Sequence, residues 1–466
     1  MKRIFLLLLA LMVFPALIFA GGKQEVAKEE GPKEVKIVIR AKGNPTEHWK
    51  VDAFDEAVKL LNEELQAEGD NRTVVIEKIF DDASWADVVR SFAMSADAGE
   101  APDIILGGHE HIAVYSTAGY IIPLADSVSE IKKMYPEFDD VIDNLWASCM
   151  LHGKVWGVPQ DIEARPLYYS IPKLKALGWS NAKIKALPER IKKGEFTLDD
   201  MIATAKEAVA KGVVEPGHGY WHRPKRGPDF YQYYFSYGGY FYDPDENKLV
   251  IVEDALEKWY AFQRKIVDEG ITPENFIGTD WRIWHDTVSH GKALFWNGGS
   301  WQWGEWAGIY LKDQGGQEYL FENVGYALQP SGVRGKSGGT LSHPTVYMVT
   351  TEKASGRKGR DLAVRLLAKV TTKELNTKHA VESTHIGILK SQANYPPYNK
   401  DRFLSDVIYM LDYNYFLPNH VMFSTWEDAV WEGMQAAEIG QRSPQDSTAA
   451  TIKLLQAELG DALIVK

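Results

Sequence analysis

The chain has 466 residues, of which 45% are hydrophobic and 25% charged, a globular composition with enough apolar material for two cores. Its formal net charge of −12 at pH 7 disfavours nucleic acid as a partner, because phosphate binding requires clustered lysine and arginine. The single cysteine, Cys149, excludes an intramolecular disulfide, and we expect no lipidation on cysteine near the amino terminus.

Residues 1–20 have the pattern of a secretory signal. Lys2 and Arg3 precede an apolar run at 4–14, and the small residue Ala20 stands before two glycines. The run is short for a membrane-spanning helix, which needs about 20 residues, although an uncleaved anchor is the alternative. Residues 21–33 contain little to bury and are predicted to be a flexible tether, so the folded part begins near residue 34.

Strands and helices are predicted to alternate in the next part of the chain. The strand patterns lie at 35–39, 74–80 and 103–106, and the helical patterns at 54–65 and 85–98. This alternation predicts an α/β fold with a mainly parallel sheet, in which ligands bind at the carboxyl ends of the strands. The loops at 42–49 and 107–111 are therefore predicted to face a site.

The same two patterns continue to the carboxyl terminus. Helices are predicted at 198–210 and 254–267, strands at 293–296, 324–328 and 346–350, and a last helix through Ile452, Leu455 and Leu459.

Six tryptophans lie between positions 281 and 306: Trp281, Trp284, Trp296, Trp301, Trp303 and Trp306. An indole can cover the apolar C–H face of a sugar ring, but core packing is the alternative for each of them. Trp301 is the best ligand candidate because it follows the turn 297–300 at the end of a predicted strand. A second aromatic group, at 230–237, includes Tyr231, and a packed helix is the alternative there.

Asp161, Glu163 and Arg165 alternate along a predicted extended segment, so their side chains could share one side. Carboxylates and arginine pair well with neighbouring hydroxyl groups, while a structural ion pair is the alternative. The triplet at 109–111, His-Glu-His, is a weak metal motif without a third ligand, and a polar pocket loop or a surface loop is favoured. A carboxylate pair for glycoside hydrolysis is a spatial feature that the sequence hides, so catalysis stays open.

Eight short motifs occur in the order found in one known family. They are AGEAPDI at 98–104, AGYIIPL at 118–124, GKVWGVP at 153–159, LYY at 167–169, KLKALGW at 173–179, HGKALF at 290–295, GSW at 299–301 and THIG at 384–387. On these motifs the chain resembles the extracellular sugar-binding family of ABC importers that includes maltose-binding protein, from about residue 35 to the last helix.

The resemblance implies a two-lobed fold of the type II periplasmic binding proteins, each lobe a mainly parallel sheet flanked by helices. Lobe 1 would comprise 34–160 and 338–393, and lobe 2 would comprise 161–337 and 394–466. The ligand would lie in the cleft between them. By position Glu163 matches the family's carboxylate at the lobe crossing, and Trp301 and Trp426 match its stacking tryptophans. The expected ligand-binding residues are Asn44, Trp85, Gly108, His109, Asp161, Glu163, Arg165, Tyr231, Trp301, His343 and Trp426.

The resemblance also implies an exported, monomeric, non-enzymatic protein without metal or cofactor, which captures a sugar and delivers it to a membrane permease. Arg165 and an inserted segment at 221–226 depart from the better-known members, and Arg165 or Arg223 could read an acidic or phosphorylated sugar. A secreted carbohydrate-active hydrolase and a carbohydrate sensor are the alternatives.

Overall fold

The structure is a computed structural model that describes residues 33–466. The predicted signal at 1–20 and all of the predicted tether except Lys33 lie outside the described residues.

A five-stranded sheet forms the centre of the first part of the molecule. In spatial order its strands are Arg72–Asp81, Lys33–Lys42, Ile104–Gly108, Thr345–Val349 and Val158–Asp161. The first three run parallel, and Thr345–Val349 runs antiparallel to both of its neighbours. Apolar side chains such as Ile37, Ile39 and Leu106 are fully buried, which explains the nearly continuous hydrophobic runs of these strands.

A four-stranded sheet forms the centre of the second part. Its spatial order is Val324–Ala327, Leu167–Ser170, Phe295–Asn297 and Tyr220–Trp221. Leu167–Ser170 is antiparallel to both neighbours, and only the last pair is parallel.

The strand directions agree with the prediction of mainly parallel sheets, because each sheet has only one reversed strand: Thr345–Val349 in the first and Leu167–Ser170 in the second. Thr345–Val349 enters the first sheet only after the chain has passed through the second one, and it arrives from the opposite direction. Both sheets are therefore mixed, although helices accompany each of them as an α/β fold requires.

The chain passes between the two sheets at several points. It leaves the first sheet at Asp161, joins the second at Leu167, and returns between Ala327 and Thr345. Within the return segment Thr340–Leu341 pairs with Asn414–Tyr415, so a later part of the chain joins the same crossing region. A small sheet contains Tyr242–Asp243, Lys248–Ile251 and Leu463–Val465, and Met150–Leu151 pairs with Lys154–Val155.

Helices occupy most of the remaining chain. Those in the segments that supply the first sheet are Trp49–Asp52, Phe54–Glu68, Trp85–Ala98, His111–Thr117, Val128–Met134, Glu352–Ser355, Arg360–Val370 and Lys373–Ser383. Those between Ser170 and Val324 are Ile171–Ala176, Asn181–Lys185, Leu187–Lys192, Leu198–Ala210, Tyr231–Ser236, Glu253–Asp268, Trp281–Ser289, Trp301–Glu305 and Gln317–Asn323. The tail contains Pro396–Asn399, Arg402–Val407, Phe423–Glu438 and Pro444–Leu459, and its last two helices pack on Glu253–Asp268.

Across residues 33–466, none of the helices is both long enough and apolar enough to span a bilayer.

Candidate functional site

Buried ionisable side chains, called the charged group below, gather where the chain first crosses between the sheets. They come from the segment that follows Lys33–Lys42, from the end of Val158–Asp161, and from later segments of both parts of the chain. The group consists of Glu47, Lys50, Asp161, Glu163, Arg165, Asp229, His379 and His385. Burying charge is costly unless each charge is paired, so such a concentration identifies a candidate functional region.

Lys50 forms ion pairs with two carboxylates of this group, on the side of the first sheet. Its ammonium lies 2.7 Å from Glu47 Oε1 and 3.4 Å from Asp161 Oδ2. Burial would raise the pKa of Asp161, but Lys50, His385 and His379 together outweigh this and hold it well below its ordinary value. Burial would likewise lower the pKa of Lys50, yet Asp161 and Glu47 raise it. The three groups are therefore charged at neutral pH.

Two histidines complete this part of the site. His379 Nε2 lies 3.2 Å from Asp161 Oδ2, and His385 Nε2 lies 3.4 Å from Glu47 Oε1. Burial lowers the pKa of His385 to about 4, so its ring is neutral at pH 7. One ligand atom each from Asp161, His379 and His385 could surround a metal ion, since these atoms lie within 4.8 Å of one another. The Lys50 ammonium already contacts Asp161, however, and would repel a second cation.

Arg165 connects the crossing segment to the second part of the molecule. Its Nη2 lies 2.5 Å from Glu163 Oε1, its Nε donates to Asp229 Oδ1 at 3.0 Å, and its Nη1 donates to the carbonyl of Leu341 at 3.0 Å. Burial raises the pKa of Glu163 against the opposing charge of Arg165. The guanidinium of Arg165 thus links three segments of the chain.

Trp301 is the aromatic surface of the site. It begins the helix that follows the strand Phe295–Asn297, and its side chain is only partly buried. Its indole is stacked on the imidazole of His385, and the guanidinium carbons of Arg165 and Arg223 lie 5.3 Å and 5.5 Å from the ring centroid. Aromatic and ionic groups from both parts of the chain therefore meet at this ring.

A second polar group adjoins the first around His343. Its Nε2 lies 2.7 Å from Glu110 Oε2, and the ring of Trp85 packs edge-on against it at 6.2 Å. Glu110 raises the pKa of His343 against the effect of burial. Gly108 allows this approach, because a Cβ there would lie 2.6 Å from His343 Nε2. His109 is fully buried, with Nδ1 3.1 Å from Asn419 Oδ1.

Tyr231 and Glu427, from the helices Tyr231–Ser236 and Phe423–Glu438, meet in the same region. The Tyr231 hydroxyl donates to Glu427 Oε1 at 3.0 Å. Burial raises the pKa of Glu427 to about 7, and the charges of Glu110 and His343 also act on it. Glu427 therefore belongs to the site, although it was not among the predicted residues.

The prediction that Trp426 stacks on a ligand disagrees with its position in the structure. Trp426 is fully buried, packs on Phe241 and Phe423, and donates its indole N–H to the carbonyl of Val250 at 3.2 Å. The ring and the N–H of Trp426 are thus fully occupied by contacts within the protein, as expected of a core tryptophan.

The structure brings most of the other predicted residues together. Asp161, Glu163, Arg165 and Trp301 belong to the charged group; Trp85, Gly108, His109 and His343 belong to the adjoining group. Asn44 contributes through its backbone N–H, which donates to the carboxylate of Glu47. Sequence reasoning missed Glu47, Lys50, Asp229, His379, His385 and Glu427. Glu47 lies within the predicted site loop at 42–49, and His385 lies in the recognised THIG motif, so these two carried a usable signal.

Open space occurs elsewhere in the crossing region. A cavity of about 490 Å³ borders Gln232, Thr340, Asn414 and Tyr415, and its lining does not include Trp301. The charged group lies apart from this open volume, because its side chains pack closely against one another.

Solved structures identify the fold. The GacH receptor of Streptomyces glaucescens GLA.O aligns with a TM-score of 0.68 at 16% identity, covering 91% of this chain and 98% of that one. T. maritima MalE3, solved with maltose bound, aligns with a TM-score of 0.66 at 18% identity, covering 91% and 99%. The fold is the two-lobed α/β fold of type II periplasmic binding proteins, as the sequence predicted.

The sequence itself assigns the family. Residues 50–376 match the family described as bacterial extracellular solute-binding protein, and the chain belongs to that family. The maltodextrin-binding protein MdxE of Bacillus subtilis (strain 168) is 22% identical over 316 residues, or 65% of this chain. The match spans 64% of the length of that relative.

Proposed function

We propose that the protein captures a carbohydrate between its lobes and delivers it to an ABC-type permease. The partly buried indole of Trp301, surrounded by paired carboxylates and guanidinium groups, carries this proposal. An indole suits the C–H face of a sugar ring, and charged groups bind its hydroxyls. Maltodextrin, acarbose and maltose in the names of similar proteins support the same ligand class.

The proposed mechanism is closure of two lobes on the ligand. Lobe 1 would be 34–160 with 338–393, and lobe 2 would be 161–337 with 394–466. Lys50, Glu110 and His385 stand on the first side, and Asp229, Trp301 and Glu427 stand on the second. A ligand that contacts both sides stabilises the closed form, which the permease would recognise.

Binding without catalysis is the role of the proteins that this chain resembles, and the ion pairs of two site carboxylates fit it. Glu47 pairs with Lys50 and Glu110 with His343, and against the effect of burial these partners hold the pKa of both carboxyls below its ordinary value. Carboxylates held by cations are suited to accepting hydrogen bonds from hydroxyls and poorly suited to donating a proton. We propose an exported monomer that needs no metal or cofactor, with the signal at 1–20 directing export.

A thermal-shift screen of the protein from residue 33 onward would test the proposal. Mono-, di- and oligosaccharides and polyols form the panel, and a ligand that binds only the folded state must raise the melting temperature. X-ray scattering on the same samples measures closure and molecular mass. If no carbohydrate raises the melting temperature of well-folded protein, the proposal is wrong; release of shortened product from an oligosaccharide would indicate a hydrolase instead.

Transport and sensing are separated by a second assay. Uptake of the identified carbohydrate by membrane vesicles that contain a candidate permease should depend on added protein. Binding without any permease-dependent uptake would favour the sensor.

A further inference from the structure

Arg223 lies in the inserted segment 221–226, beside the aromatic surface of the site. Its side chain is 14% exposed. Three indoles surround its guanidinium carbon, with the centroids of Trp281, Trp301 and Trp284 at 4.5 Å, 5.5 Å and 5.9 Å. The charge thus stands in an aromatic enclosure that opens on Trp301.

The guanidinium of Arg223 has donors without acceptors. Its Nε and Nη1 are buried and have no hydrogen-bond partner among residues 33–466. Asp229 Oδ1 lies 3.6 Å from Nη1, which is too long for a hydrogen bond. The same oxygen accepts from Arg165 Nε at 3.0 Å, so Asp229 is already engaged.

The two arginines beside Trp301 therefore differ in role. Arg165 donates hydrogen bonds through Nε and Nη1 and pairs with Glu163 through Nη2, whereas Arg223 shares one carboxylate that is closer to Arg165. The nearby Glu305 does not balance Arg223 fully, because burial raises the pKa of this carboxyl to about 7.

A second cation, on the opposite lobe, lacks a close acidic partner. Lys42 Nζ lies 4.8 Å from the ring centroid of Trp85 and forms no ion pair within 4.0 Å in the described chain. Burial lowers its pKa, although the charges of Glu47, Asp81 and Asp82 partly oppose this. Contact with an indole compensates a buried cation only in part. A buried cation whose donors lack acceptors, next to a binding surface, is best explained by a partner of opposite charge that arrives with the ligand.

We propose that Arg223 binds an anionic group, a carboxylate or a phosphate, on the carbohydrate that stacks on Trp301. This inference rests on the proposed function and narrows its ligand class to acidic sugars. The planar guanidinium offers directed N–H donors that match either anion, and Lys42 adds positive charge from the other lobe.

Matched sugars and matched variants test this. The probes are glucose, glucuronic acid and glucose 6-phosphate, which differ only at C6, together with digalacturonic acid and its neutral counterpart, α-1,4-linked galactobiose. Affinity is measured by calorimetry for the wild type, Arg223→Gln and Arg223→Lys. Arg402→Gln is the control, because Arg402 is exposed and loses the same charge at a distant helix.

We expect an acidic probe to bind at least about 10-fold more tightly than its neutral counterpart, and Arg223→Gln to abolish that difference. Arg223→Lys should retain part of it, Arg402→Gln all of it, and added salt should weaken only the acidic probe. The carboxylate and phosphate probes distinguish the two anions.

Equal or tighter binding of neutral sugars, unchanged in Arg223→Gln, would overturn the anion assignment and leave the proposed function standing. Failure of every carbohydrate, with the protein folded by circular dichroism, would overturn both.

Discussion

The indole of Trp301 and the imidazole of His385 lie nearly parallel, with an interplanar angle of 11° and ring centroids 5.9 Å apart. Trp301 follows a strand of the second sheet, and His385 follows a helix that packs near the first. The contact therefore fixes the orientation of the indole by a neutral ring from the other side of the crossing.

Removing the indole of Trp301 should lower the affinity for the ligand and change the free energy of unfolding only slightly. For Trp301→Ala we expect carbohydrate affinity to fall at least about 10-fold, because the stacking surface is lost. Calorimetry with the ligand found in the screen measures the change. Trp303→Phe is the matched control: Trp303 is fully buried and stacked on Phe403, so this change should lower the free energy of unfolding by about 1–3 kcal/mol and leave affinity unchanged. Unchanged affinity in Trp301→Ala would contradict the assignment of the site.

The buried ammonium of Lys50 should be essential for stability. Lys50→Met leaves Glu47 and Asp161 buried without their cation, and we expect a loss of about 3–5 kcal/mol in the free energy of unfolding, measured by urea titration. Lys59→Met removes an exposed pair with Glu56 and should cost less than about 1 kcal/mol. Similar losses in the two variants would show that the buried cluster does not depend on Lys50.

The stability of the protein should depend on the protonation of Glu427. Its pKa rises from 4.5 to about 7 on burial, so the folded state keeps a proton that the unfolded state has released. The free energy of unfolding therefore falls as pH rises from 4.5 through 7.

The side chain in Glu427→Gln stays neutral at every pH. The decrease in the free energy of unfolding between pH 5 and pH 8, measured by urea titration, should therefore be about 1–3 kcal/mol smaller in this variant than in the wild type. The exposed Glu318→Gln should behave as the wild type does. A pH dependence that is identical in all three proteins would disprove this role of Glu427.

Cys149 should be unreactive in the folded protein. It is fully buried, and burial raises the pKa of its thiol to about 12. A thiol reagent at pH 8 should label it only when the chain unfolds, at a rate that denaturant increases. Labelling at the rate of a free thiol in native buffer would contradict the structure.

Local signals allowed some elements to be predicted to the residue. The helix Trp85–Ala98 begins after Ser84, whose hydroxyl accepts from the backbone N–H of Asp87, and ends before Gly99 with a φ of 74°. Both residues are typical helix boundaries in any sequence. The directions of the strands depend instead on contacts between distant segments, and no local pattern records those.

The site residues also differ in whether a local sequence signal reveals them. Trp301 follows a turn that a reader of the sequence can recognise, whereas Trp426 and Glu427 are neighbours on one helix and only the packing decides which of them faces the core. A buried lysine such as Lys50 has no hydrophobic periodicity to reveal it, because its burial depends on two carboxylates, one of them far along the chain.

The order of the strands also determines when each sheet can be completed as the chain is made. All four strands of the second sheet lie between Leu167 and Ala327, so that sheet can close as soon as this stretch is available. The first sheet has a gap between Ile104–Gly108 and Val158–Asp161 until Thr345–Val349 is added. The sheet whose first strand is synthesised earlier is therefore the sheet that is completed later.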